Sequence, residues 1–458
     1  MAYQNYTIEM LQQIDARHHM HPFCDYKELK AQGTRVISAC DGNYVIDSEG
    51  QRLLDAMAGL WCVNVGYSRP ELAEVAREQM LELPYYNSFF QCTTPSPILL
   101  SEKLIELAPD GIQNVFYGSS GSESNDTVIR MVRHYWALEG KPERQVIISR
   151  HNAYHGSTVG AASLGGMSAM HGQLHTMLPG INHIMSPYHF GEALPGENED
   201  DFGVRAAQAL EDEILSVGAD KVAAFVAEPI QGAGGVRVPP STYWPEIKRI
   251  CDKYDILLCL DEVITGFGRT GEWFAANHYG IEPDTITTAK AITSGYIPLS
   301  AVLVGKRISD TFTRGGGEFY HGYTYSGHPV ACAVALENLR IIQEEGMVER
   351  VKEDTGPYLA EQMAALESHP LVGQVRTFGF LGAVEIVADK QTNERFPNEG
   401  YAGGVCRDFC IENQLIMRAV GDTMIMSPPL TWDHGTIDEF MEKTGRVLDQ
   451  AHAHLTAK

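Results

Sequence analysis

Apolar positions follow one rhythm through the middle of the chain and another at its ends. From about Val115 onward, short unbroken apolar runs recur: Val115-Phe-Tyr, Val146-Ile-Ile, Val222-Ala-Ala-Phe-Val-Ala, Ile256-Leu-Leu-Cys-Leu and Ala301-Val-Leu-Val. Runs of that length without polar alternation predict strands covered on both faces. Between them, Glu123 to Leu138, Val204 to Val217 and Tyr243 to Tyr254 have the mixed composition of helices. Apolar strands interleaved with helices predict an α/β fold, a mostly parallel sheet flanked by helices.

Near the amino end, Tyr44-Val-Ile and Gln51-Arg-Leu-Leu-Asp55 flank the turn residues Asp47-Ser-Glu-Gly50, which predicts a small hairpin. A helix is expected from Pro70, which suits a first helical turn, to Leu83. After a long helix from Pro329 to Glu344, the order becomes helix, strand, strand, helix, strand, helix. Both end regions are too small to stand alone. The expectation is a large domain at 60–330 beside one smaller α+β domain assembled from residues 1–59 and 331–458.

Composition narrows the function. The 458 residues are 44% hydrophobic, enough to build layered cores, and carry a formal net charge of −24. Such a body repels phosphate backbones and anionic lipid, which disfavours nucleic-acid and membrane roles and points to small-molecule chemistry. Nine scattered cysteines with no CxxC pair suit free thiols in a reducing compartment. The start, MAYQNYTIEM, has neither a basic nor an apolar signal region, so a cytoplasmic protein is expected. His18 to His21, HHMH, invite a metal reading, but no partner cluster follows at a ligand-like spacing, and no metal is expected.

Parallel sheets bind ligands beyond the carboxyl ends of their strands. Gly118-Ser-Ser-Gly-Ser-Glu-Ser-Asn125 follows the Val115 strand and opens a helix, where free N–H groups suit a phosphate as well as an ordinary cap. Tyr154-His155-Gly156 follows the Val146 strand, and Tyr154 could either pack or stack on a planar ligand. Asp261 ends the Ile256 strand, where an acid can cap a helix, bind a metal or hold a proton on a ring nitrogen. Lys290 lies in Thr287-Thr-Ala-Lys-Ala-Ile-Thr-Ser-Gly-Tyr296, among small and apolar neighbours. It either snorkels to water or is a desolvated amine able to attack a carbonyl. Together the four loops offer an anion seat, an aromatic face, an acid and an amine. Pyridoxal 5'-phosphate requires all four.

The ordered series SGSESND, YHGST, EPIQGAGG, DEVITGFGRTG, AKAITSGY and GYTYSGHP closely resembles the class III, or omega, aminotransferases of fold type I. GLWCVNVGY, YNSFF, HHMHPF and LIMRAVGDTMIMSPPL resemble the amine:pyruvate branch, in particular putrescine or polyamine:pyruvate transaminases. The resemblance implies that Lys290 carries the cofactor and that Asp261 pairs with its ring nitrogen. Tyr154 and Val263 would cover the two ring faces. Gly121 and Ser122 would bind the phosphate, joined by Thr324 from the second subunit of a homodimer or dimer of dimers. Phe23, Leu60, Trp61, Phe89, Phe90, Ala233 and Tyr325 would line the substrate space, with Arg418 receiving the carboxylate of the acceptor. Glu228 would orient groups of the site or serve only the fold.

The implied reaction moves an amino group from a primary amine or diamine to pyruvate, in ping-pong fashion, giving an aldehyde and alanine. Taurine or beta-alanine:pyruvate transamination, a broad enzyme of aromatic amines, and a catalytically silent binder of the cofactor are the alternatives. Two departures stand out: Ser124 where the family often has alanine, and Ala291-Ile292 where it often has glycine-leucine.

Overall fold

The structure is a computed structural model that describes residues 5–457. Its centre is a seven-stranded sheet. In spatial order the strands are Ile112–Gly118, Ser300–Gly305, Thr285–Thr288, Leu257–Asp261, Val222–Ala227, Val146–Arg150 and Ile181–Ile184. Ser300–Gly305 runs antiparallel to both neighbours, and every other adjacent pair is parallel. Val222–Ala227 and Leu257–Asp261 are buried at every position, as strands covered on both faces must be.

The helices form for local reasons that the sequence carries. Gly121–Leu138 starts at the N-cap Ser120, whose hydroxyl accepts from the Glu123 N–H, while the Glu123 carboxylate accepts from the Ser119 N–H. This reciprocal capping starts the helix two residues earlier than its apolar pattern indicates. Pro70–Glu82 and Pro329–Glu344 both open on proline, whose missing N–H costs nothing in a first turn.

The two ends of the chain meet in a second sheet. Ile37–Asp41, Tyr44–Asp47 and Arg52–Asp55 form an antiparallel meander, and Leu415–Ile416 adds to it in parallel, pairing Leu415 with Leu54. A third sheet joins Val372–Phe378, Leu381–Ile386, Thr423–Met426 and Arg418–Val420. The last helix, His434–Thr456, packs on Tyr401–Glu412. The nine cysteines are unpaired. Among the described residues no helix is long and apolar enough to cross a membrane.

Candidate active site

Four loops at the carboxyl ends of the central strands enclose one cleft, with about 510 Å³ of space that opens in part to solvent. Gly121, Ser122, Tyr154, His155, Gly156, Glu228, Asp261, Val263, Ala289 and Lys290 are among its walls. The sequence separates the first of these from the last by well over a hundred residues. The parallel sheet brings them together by placing all these strand ends on one edge.

Lys290 sits just past Thr285–Thr288, in a left-handed backbone conformation with φ of 48°. Desolvation is the main influence and lowers its pKa, against the opposing fields of Cys62, Asp261 and Glu228. Among the described residues no carboxylate forms an ion pair with it.

Asp261 is buried and held by three donors. Its Oδ2 accepts from Asn125 Nδ2 at 2.8 Å and faces His155 Nδ1 at 2.7 Å; its Oδ1 accepts from the Val263 N–H at 3.1 Å. Facing a carboxylate, which only accepts, His155 Nδ1 donates toward Asp261, and Ser149 Oγ lies 3.2 Å from the other ring nitrogen, Nε2. Asn125 also donates to the His155 carbonyl and accepts from Thr287 Oγ1. Glu228, buried beside this group, accepts from the backbone N–H groups of Tyr154 at 3.2 Å and Gly232 at 2.9 Å. Burial nonetheless pushes its carboxyl pKa up.

The anion seat is built on the start of the Gly121–Leu138 helix. Capping uses the N–H groups of Ser119 and Glu123, while those of Gly121 and Ser122 take no protein partner among the described residues. Ser122 Oγ accepts from the Ser157 N–H at 3.0 Å and pulls the Tyr154 to Ser157 loop against the seat. Gly156 is required there. Its φ is 135°, and a Cβ at that position would lie 2.4 Å from Ser122 Oγ.

Arg418 approaches from the third sheet, its guanidinium 5.1 Å from the centre of the Trp61 ring. It makes no ion pair among the described residues, and burial lowers its pKa. Trp61, Ala233 and Ile264 belong to one apolar cluster, against which Tyr154 and Val420 pack.

A family model described as aminotransferase class III matches residues 27–448. The chain belongs to the class III aminotransferases. It is 55% identical over 447 residues to the putrescine–pyruvate aminotransferase of Pseudomonas aeruginosa, covering 97% of both chains. It is 42% identical to the diaminobutyrate–2-oxoglutarate transaminase of Halomonas elongata, covering 92% of each. Among solved structures, the omega transaminase of Pseudomonas jessenii in complex with PMP superposes with a TM-score of 0.95 at 40% identity, over 97% of this chain and 98% of that one.

Class III aminotransferases depend on pyridoxal 5'-phosphate, and the cleft fits that group: it pairs two free N–H donors at a helix start with a buried carboxylate and a desolvated amine. Of the expected positions, Gly121, Ser122, Tyr154, Asp261, Val263 and Lys290 wall the cleft together. Phe23 reaches it from outside, its ring edge-on to Tyr154 at 6.3 Å. Leu60, next to the buried Trp61, is 56% exposed.

Phe89, Phe90, Thr324 and Tyr325 lie apart from the Lys290 cleft within the chain. Phe89 meets Phe90 with the rings tilted and covers Gly322, while Tyr325 meets Tyr85 and the Thr324 carbonyl accepts from the Tyr85 hydroxyl at 2.6 Å. Sequence reasoning gave no role to Asn125 or His155, although both stand inside quoted motifs. An amide and an imidazole just after a helix start and a strand end were the available signal. The HHMH segment gains a partner in Asp15, which accepts from His19, His21 and Thr34 and lies four residues before His19.

Proposed function

We propose that the protein transfers an amino group from a primary amine or diamine of the putrescine type to pyruvate, in two half-reactions on one site. The observation that carries this reading is Arg418: a guanidinium without a carboxylate partner, set over Trp61 beside the cleft that contains Lys290 and Asp261. It gives a keto acid a carboxylate receptor, and an amine donor that lacks a carboxylate needs none. The relatedness to a putrescine–pyruvate aminotransferase along 97% of the chain supports the same substrates.

When bound, pyridoxal phosphate supplies an electron-accepting ring and a carbonyl that takes up the amino group. The protein's own groups do the rest. Lys290 would hold the cofactor through its amine and, when that amine is free, would carry a proton off the donor carbon. Asp261 keeps a proton on the ring nitrogen, and His155 and Asn125 hold Asp261 in place for that task. Gly121 and Ser122 would bind the phosphate through their free N–H groups. Tyr154 and Val263, both in the cleft wall, would cover the two ring faces.

The exposed Phe90, Thr324 and Tyr325, with the half-buried Phe89, complete the neighbouring site in a homodimer, where the Thr324 hydroxyl would meet the phosphate. Residues 1–59 and 331–458 form one small domain beside 60–330, held together by the pairing of Leu54 with Leu415.

The test is the absorption spectrum of the holoenzyme before and after putrescine, with no keto acid present. Bleaching of the yellow band with growth of a near-ultraviolet band, then recovery on adding pyruvate with formation of alanine, is the expected result. A yellow protein that putrescine does not bleach would move the donor to taurine, beta-alanine or an aromatic amine.

A further inference from the structure

The first helix, Ile8–His18, buries none of its residues within the chain, yet its last turn is tied firmly to the segment that follows. Asp15 is the knot. Both its oxygens lie 2.9 Å from His21 Nε2, Oδ1 also lies 2.9 Å from His19 Nδ1, and Oδ2 accepts from the Thr34 hydroxyl. The Thr34 hydroxyl first, and the two imidazoles after it, hold the Asp15 carboxyl down to about 2, so it is an anion throughout the working range. Gln12 Nε2 donates to the Thr34 carbonyl and Tyr26 OH to the His21 carbonyl, each at 2.9 Å.

What this network holds is the turn His21-Pro22-Phe23-Cys24. Phe23 has φ of 51°, following proline, at the place where a turn of this kind ordinarily requires glycine. A phenylalanine in the left-handed region persists only where its surroundings fix it. Its ring is 74% exposed and makes one aromatic contact, edge-on to Tyr154 at 6.3 Å. Packing therefore does little to hold Phe23 in place. The polar network does more. Asp15, His19 and His21 also resemble a metal donor set, but each Asp15 oxygen is already engaged by protein donors, which favours a clamp.

We infer that Asp15 is a positioning residue: by gripping His21 and Thr34 it fixes the Pro22-Phe23 turn so that the Phe23 ring stands against Tyr154 as the outer wall of the substrate cleft. The inference rests on the transaminase reading above. Free of that grip, the turn relaxes toward ordinary backbone angles and the wall opens. Lys290 and Asp261 are untouched, so the loss falls on donor binding and not on the proton transfer.

The experiment compares the wild-type holoenzyme with Asp15→Ala, Phe23→Ala and the double variant. Hydrogen exchange of the amides of residues 20–26, without substrates, is expected to quicken at least about tenfold in Asp15→Ala while the central strands keep their protection. KM for the amine donor is expected to rise about 5- to 20-fold with kcat within about twofold. Adding Asp15→Ala to Phe23→Ala should raise KM no further, because the clamp acts through that one ring.

Unchanged exchange in the turn, or KM effects that multiply in the double variant, would overturn the inference. Should Asp15→Ala fail to fold, Thr34→Val removes one donor and is expected to give smaller changes in the same directions, with the same failure of additivity; no change in either readout would count against the clamp. A wild-type protein that turns over no amine would sink the transaminase reading, while the exchange result would still decide whether Asp15 holds the turn.

Discussion

Replacing Arg418 with alanine should separate the two half-reactions. The guanidinium lies unpaired among the described residues, 5.1 Å from the Trp61 ring and near enough to Lys290 to lower its pKa, and burial already depresses its own, so an anion that arrives there meets an uncompensated cation. Hydrogen bonds to a charged group are worth about 1.5–3 kcal/mol each, and a forked guanidinium makes two to a carboxylate. Allowing for water that fills the gap left by the side chain, the loss for pyruvate comes to about 3–4 kcal/mol, or roughly 10²–10³ in kcat/KM. An amine donor forfeits only the contact of arginine with Trp61, about 1 kcal/mol, and should change by less than about fivefold. Arg418→Lys keeps the charge without the fork and should fall between. Single-turnover absorption separates the halves, with putrescine bleaching the yellow form and pyruvate restoring it. Equal losses in both directions, or none with pyruvate, would refute the assignment. Thermal stability should not fall, since the variant removes a half-buried charge that has no partner among the described residues.

Asp261→Asn keeps the shape and one acceptor but removes the anion that Asn125 and His155 position, and turnover should drop about 10²–10³-fold with the cofactor still bound by absorbance. Gly156→Ala should weaken cofactor binding by at least about tenfold in a titration of the apoprotein, because its Cβ would stand 2.4 Å from Ser122 Oγ, whose bond to Ser157 shapes the seat. Capture of cofactor by the apoprotein needs a neutral Lys290, so its rate should rise with pH and level off below the ordinary lysine value of 10.5. Over that same window the unfolded lysine binds a proton that the folded one has released, so apoprotein stability should rise with pH; a capture rate that climbs unabated through 10.5 would contradict the lowered pKa.

The elements that were legible in the sequence are those whose local chemistry and tertiary role agree. The helix Tyr243–Tyr254 and the turn between Tyr44–Asp47 and Arg52–Asp55 carry their own boundaries. The edge strand Ile181–Ile184 does not: Ile181-Asn-His-Ile184 is short and half polar, and only its pairing with Val146–Arg150 makes it a strand. The reversed direction of Ser300–Gly305 was equally hidden, since an apolar run does not reveal which way it points. At the site, chemistry that a single residue announces was readable, as with Lys290 and Asp261. Support that depends on two loops meeting was not, as with Asn125 and His155 on either side of Asp261.

That support explains why the site's two cations are available. Two carboxylates and two cations crowd the region, and in a poorly solvated cleft the carboxylates would ordinarily bind the nearest cations. Here Asp261 is satisfied by Asn125, the Val263 N–H and His155, and Glu228 by the N–H groups of Tyr154 and Gly232. Other protein donors thus occupy the positions that Lys290 and Arg418 would otherwise take. A lysine paired with Glu228 would be a protonated, inert ammonium, and an arginine paired there would have no fork left for a keto acid. Loss of the Asn125 amide or the Gly232 N–H would therefore reach past the carboxylates themselves, turning them toward the two cations that the reaction needs free.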